Sequence, residues 1–203
     1  MAMQSVNVKL LRPTQIAVGK RLVKMKRKGL RERLRKPQEL VDFILGNPLR
    51  VVLGPNDEIH IIDHHHLGYA LLKEGFKTAP VQVDADFSNF STPEFWKMME
   101  GKKWVYTCDG KGRPAGISDI PDDLLDMEDD PYRSLAGVVR QEGGFTKTHT
   151  PYVEFLWANY FRPLIKLKLL KSDFAEAVKA AKKLASAPEA AKFPGYKMPD
   201  TKS

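Results

Sequence analysis

The stretch EIHIIDHHHLGYALLKEG, residues 58–75, changes its apolar period halfway along. Ile59 and Ile61 alternate with His60, the pattern of a strand, and the run continues to Asp63. From Leu67 onward the apolar residues recur at helical spacing, and Gly75 supplies the residue expected just past a helix end. The run Asp63-His64-His65-His66 therefore falls where strand becomes helix. The unpaired N–H groups and dipole of a helix's first turn favour an anion there, and Asp63 is the natural N-cap. Imidazoles at such a place can donate to phosphate, ligate a metal or move a proton near neutral pH, and an adjacent carboxylate can fix their tautomer. Consecutive residues do not share a helix face, so at most two of the three imidazoles converge on one atom. His60 reads as exposed on its strand, and His149 as an isolated loop residue.

Working outward, LRVVLGPNDEIHIID (49–63) reads as a hairpin turning at Gly-Pro-Asn-Asp. PQELVDFILGNP (37–48) reads as a helix of about three turns with Pro at its start and Gly-Asn-Pro at its stop. VNVKLLRP is a strand ended by Pro13, and TAPVQVDADF (78–87) is another. Strands and helices alternate through residue 90, so the fold class is α+β, a mixed sheet with flanking helices. Beyond it, STPEFWKMMEG carries the Ser91-x-x-Glu94 spacing of a capping box. KWVYTCDGKGRP is a short strand and turn, and PYRSLAGVVRQEGG starts at a Pro and ends on paired Gly. TPYVEFLWANYFRPLIKLKLL is a helix interrupted or kinked near Pro163, SDFAEAVKAAKKLASA a peripheral basic helix, and KFPGYKMPDTKS a tail. The expected organisation is a domain over 1–90, a mostly helical extension over 91–171 packed on it, and a peripheral helix and tail over 172–203.

With 42% hydrophobic and 29% charged residues among 203, the composition is that of a soluble globular protein. No stretch approaches the roughly 18 apolar residues needed to span a bilayer, and the first residues lack a long apolar signal core. A cytoplasmic protein with no membrane partner is expected. Cys108, the single cysteine, excludes an intramolecular disulfide and a cysteine-based zinc cage. Residues 20–36 hold ten Lys or Arg against one Glu, +9 of a total of +8, so the remainder carries −1. Such a local patch concentrates phosphate-bearing partners in a salt-dependent way. Lys26, Arg27 and Lys28 at its centre are candidate nucleic-acid contacts. Asp119 to Asp130 reads as a solvated acidic surface, since its spacing matches no EF-hand loop. Trp96, Trp104, Tyr152, Phe155, Trp157 and Tyr160 read as core rather than as base-stacking residues.

Several strings together carry a family resemblance: LRPTQIAVG (11–19), VVLGP (51–55), IDHHH (62–66), EFW (94–96), DDPYRSLAG (129–137) and EFLWA (154–158). On these the chain resembles the ParB-like nuclease family of the ParB and sulfiredoxin superfamily over about residues 7 to 162. In that superfamily the strand-to-helix turn often reads Asp-Gly-His-His-Arg and lines a nucleotide or phosphate pocket. The resemblance implies a ParB/sulfiredoxin-like sheet domain, and its activities range over CTP binding, ATP-dependent sulfinic acid activation, serine phosphorylation and nuclease action. His65 and His66 match the family pair. His64 stands for the common Gly, and Leu67 for the Arg that grips phosphate, which argues against a direct nucleotide-kinase reading. No Cys precedes the His run, which disfavours sulfiredoxin chemistry.

The resulting expectation is a phosphate- or metal-handling site. In it Asp63, His65 and His66 are catalytic, and His65 and His66 are also the candidate metal ligands. Gln15, Arg21, Lys24, His64 and Arg133 are candidate phosphate or nucleotide contacts. The implied cofactor is a divalent metal or a nucleotide, and the reaction is phosphodiester hydrolysis or nucleotide-dependent phosphoryl transfer. The alternative is a non-catalytic nucleic-acid-binding or regulatory module acting through residues 20–36.

Overall fold

The computed structural model describes residues 4–198 of the chain, which divides at Asp129/Asp130 into two compact units. The first is built on five strands, β1 (Gln4–Asn7), β2 (Leu11–Pro13), β4 (Leu49–Leu53), β5 (Ile59–Asp63) and β6 (Thr78–Asp86), in the order β1-β6-β4-β5-β2. The sheet is mixed. β4 and β5 form the expected antiparallel hairpin, whereas β6 runs parallel to β4 and β2 parallel to β5. Asn56 and Asp57 turn the hairpin with positive φ, a conformation that short polar side chains tolerate. A separate parallel pair joins β3 (Ala17–Val18) to β7 (Glu128–Asp129).

Alternate residues of the central strands feed two apolar clusters. Val51 and Ile61 pack with Val23 and Leu30 of α1 (Lys20–Leu34) and with Leu67 and Leu71 of α3 (His65–Lys73). Val52 and Ile62 pack instead with Phe95 and Met99 of α4 (Thr92–Gly101). Both sheet faces are thus covered, and this overturns the expectation that His60 is exposed: it is 2% exposed. The helix α2 (Pro37–Leu45) follows α1 and has no fully buried residue. Ser91 and Glu94 form the capping box that their spacing predicts.

The boundary expected near residue 90 falls instead at 129, because Glu128 and Asp129 close a strand pair with β3. The acidic segment is also more than a solvated surface. Leu124 and Met127 are fully buried, Asp123 caps a short turn, and Glu128 Oε2 accepts the Gly110 N–H at 2.8 Å. Carboxylates placed beside loop N–H groups satisfy backbone donors that would otherwise be orphaned.

The second unit contains α5 (Pro131–Gln141), α6 (Val153–Leu164), α7 (Leu167–Ser172) and α8 (Phe174–Ala185). Asp130 caps α5 and accepts Arg162 Nη2 at 2.8 Å. Of the interruption or kink expected near Pro163, the structure has an interruption that makes two helices: Pro163 stands in the last turn of α6, and Ile165 is extended before α7 begins. The α8 helix is less peripheral than expected, since Ala177, Ala181 and Ala185 are fully buried on a face of small residues. Up to residue 198 the tail is also anchored: Trp157 donates its indole N–H to Pro194 O at 2.9 Å, and Thr146 N–H bonds Gly195 O. Residues 199–203 of that expected tail, like residues 1–3 of the N-terminal segment, lie outside the described residues.

Candidate functional site

The β5-to-α3 turn is sharper than a carboxylate-capped helix start. Asp63 is not the N-cap. That place belongs to His64, which takes a left-handed conformation, φ 68° and ψ 24°, without a side-chain capping bond. The exposed Asp63 carboxylate accepts the His64 N–H through Oδ1 at 2.6 Å. A residue with a Cβ pays about 1 kcal/mol or more for this backbone conformation, which explains why glycine suits the same place in the turn it resembles.

The three imidazoles have separate partners. His65, 4% exposed, receives the Thr14 N–H on Nε2 at 3.2 Å, while Thr14 Oγ1 donates to Ile61 O at 2.9 Å. His66 receives the Gly19 N–H on Nε2 at 3.1 Å. An imidazole nitrogen that accepts a hydrogen bond carries no proton, so both rings hold theirs on Nδ1. His65 and His66 thereby fasten the start of α3 to the segment 14–19 that leads into α1. His64 is arranged differently. Its Nδ1 lies 3.1 Å from Pro48 O. A carbonyl only accepts, so the proton sits on Nδ1 and the Nε2 lone pair points elsewhere. His64 is half-exposed.

The other expected residues are partly brought together. Arg21 and Lys24 are exposed in the first turns of α1, whose start is tied to α3 through Gly19 and His66. Gln15 follows Thr14 and pairs through its backbone with Tyr106. The N-terminus of α1 already has an anion, since Lys20 N–H bonds Asp129 Oδ1 at 2.8 Å. Arg133 belongs to the second unit, where it lies 3.7 Å from Glu154 and over the Phe155 ring. Its carboxylate neighbour is thus Glu154 of α6. Lys26 and Lys28 are exposed, but Arg27 is not available as the third nucleic-acid contact. Its Nε is 2.5 Å from Glu74 Oε1, and Arg31 Nε is 2.7 Å from Glu74 Oε2. Hydrogen bonding from Arg31 holds the Glu74 carboxyl below the usual range, with Arg27 adding to it against burial.

Among the described residues no group of three or more His, Cys, Asp or Glu is arranged to hold a metal ion. His65 and His66 turn their Nε2 atoms to backbone N–H groups rather than to a shared point, so they do not fit the expected ligand pair. Sequence reasoning missed two features: the open Nε2 of His64, and Arg50, which stands opposite Asp63 in the β4–β5 register and pairs with Asp84. The substitution of His for the turn's usual Gly was the available signal for the first.

A mixed α/β sheet protein with a histidine-rich strand-to-helix turn is the class that this geometry defines. Residues 4–163 match the model of the family described as "Putative ParB-like nuclease", and the chain belongs to that family. Over 98% of its length it is similar to the crystal structure of protein Atu1540 from Agrobacterium tumefaciens, covering 100% of that chain at 40% identity with a TM-score of 0.89. A conserved hypothetical protein from Pyrococcus furiosus aligns at 17% identity over 45% of this chain and 34% of that one, with a TM-score of 0.28. No curated protein matches.

Proposed function

We propose that the chain is a nuclease-type phosphodiesterase whose reacting base is His64. One observation carries this reading: Nδ1–H of His64 is held by Pro48 O at 3.1 Å, which leaves Nε2 as a half-exposed acceptor beside a helix N-terminus. A water on Nε2 gives its proton to that nitrogen as its oxygen bonds to phosphorus. The opposite P–O bond breaks, and the leaving oxygen takes a proton from solvent. The first turn of α3, with Arg21 and Lys24 of the adjoining α1, supplies positive potential for the phosphoryl oxygens. His65 and His66 position the turn, and the family description supports a nucleic-acid phosphodiester as the substrate class.

The test is hydrolysis of single- and double-stranded DNA and RNA by the full chain and by His64→Gln. Loss of a general base typically costs about 10²- to 10⁴-fold in rate. Activity within a few-fold of the parent would overturn the reading, and turnover of ATP without strand cleavage would replace it with phosphoryl transfer. A second reading, binding without catalysis, is favoured by the exposed Lys24, Lys26 and Lys28 on α1. Replacing all three with Gln should flatten the plot of log affinity against log salt by about 2 to 3, if each contacts a phosphate.

A further inference from the structure

We propose that His60 is a pH-sensitive latch that holds α4 on the sheet and loosens it when the ring takes a second proton. The ring is enclosed on every side. Phe95 lies 4.7 Å away and Trp96 packs edge-on at 5.3 Å, both from α4. Gly54 faces the ring so closely that a Cβ there would stand 2.9 Å from His60 Cδ2. The two nitrogens differ. Nε2 is 3.1 Å from Glu58 Oε2, and a carboxylate oxygen only accepts, so Nε2 carries the single proton. Nδ1 is buried and has no hydrogen-bond partner. A second proton on Nδ1 would therefore be a buried donor without an acceptor, which is the costly case.

The charged groups facing the ring are few. Glu58 bonds it directly, and Arg12 of β2, the register partner of His60, reaches Glu58 at 3.2 Å and also pairs with Asp122. The other groups packed on the ring, Phe95 and Trp96 of α4 and Gly54 of the turn, are uncharged. Glu58 alone favours the cationic ring, but Arg12 already neutralises much of that carboxylate. Burial pushes His60 below the usual imidazole range, against the pull of Glu58. An imidazole in the unfolded chain has a pKa near ~6.5. Since the folded value is lower, the closed state keeps its full stability above about that pH and loses it as pH falls further. What gives way is the element that encloses the ring without bonding it, α4 with Phe95 and Trp96.

Hydrogen–deuterium exchange of the full chain between pH 7.5 and 5, corrected for intrinsic rates, reads the latch. Protection of α4 amides is expected to fall by up to about tenfold per pH unit below the unfolded value, while α3 amides hold theirs. In His60→Gln that step should vanish. In Glu58→Gln, which removes the compensating charge and lowers the folded value further, the loss should begin at the same pH and continue to lower pH. A flat wild-type profile, an equal loss across α3, or a step that survives His60→Gln overturns the proposal. Imidazole NMR titration of the wild type decides the matter even where a variant fails to fold: His60 must titrate below the usual range, at the pH where the α4 loss levels off, and titration at or above that range overturns it.

Discussion

His60 and His64 lie four residues apart on one strand and its turn, yet their environments are opposite. Each has one nitrogen fixed by an oxygen, Glu58 Oε2 at 3.1 Å for His60 and Pro48 O at 3.1 Å for His64. The other nitrogen decides what the side chain can do. In His60 it is sealed under Phe95, Trp96 and Gly54, so a proton arriving there disturbs packing. In His64 it is accessible, so a proton arriving there can come from a reacting water. Chemical identity is shared, and burial separates a packing element from the proposed base.

The sharpest way to break that contrast is His64→Gly. Glycine takes the left-handed turn without steric cost but loses more chain entropy on folding, so stability should change by less than about 1 kcal/mol in either direction. Hydrolysis should nevertheless fall about 10²- to 10⁴-fold. A thermal melt beside an activity assay separates the two, and retained activity would sink the role of His64. Gly54→Ala attacks the other side. Its Cβ meets a ring that cannot retreat, and overpacking of this kind costs about 1 to 3 kcal/mol, measurable by urea unfolding; an unchanged midpoint would show that the ring is looser than its contacts imply.

His65→Leu comes next. It keeps the apolar bulk but strands the buried Thr14 N–H, at a cost of about 1 to 3 kcal/mol. It should also slow hydrolysis less than His64→Gln does, since His65 acts through the turn. Equal losses from both variants would erase the distinction between base and positioning residue. The smallest effect is expected at Glu74, far from either ring. Its carboxyl sits below the usual range, so the stability it contributes is present above the unfolded carboxylate pKa and lost as pH falls through the lowered folded value. In Glu74→Gln the melting temperature should drop at pH 7 and lose part of its acid dependence between pH 5 and 3, all flagged by melts at about half-unit steps. An unaltered acid limb would mean that the Arg27 and Arg31 pairs contribute little.

Much of the first unit was legible in the primary structure because local rules act there without competition. The alternation of Ile59 and Ile61, the helical spacing after His66 and the Ser91–Glu94 box each became the element expected. The mixed sheet followed from strands alternating with helices. Three local expectations gave way to long-range packing. His60 was expected outside because alternation marks one buried face, and a helix over 30 residues further along the chain covers the second. Arg27 looked like an open cation until Glu74, distant in the chain, fell beside it. The boundary expected near residue 90 lies at 129, where Glu128 and Asp129 pair with Ala17 and Val18.

The candidate site shows the same division. By itself the sequence determined that a strand ends at Asp63, that three imidazoles open a helix at a place favourable to phosphate, and that positive charge is concentrated in residues 20–36, because these depend on periodicity and on residue chemistry. Which imidazole keeps an open nitrogen was decided only by the tertiary structure. Thr14 and Gly19 come from one other part of the chain and Pro48 from another, and the backbone groups they present, two donors and one acceptor, are what assign a proton and a partner to each ring.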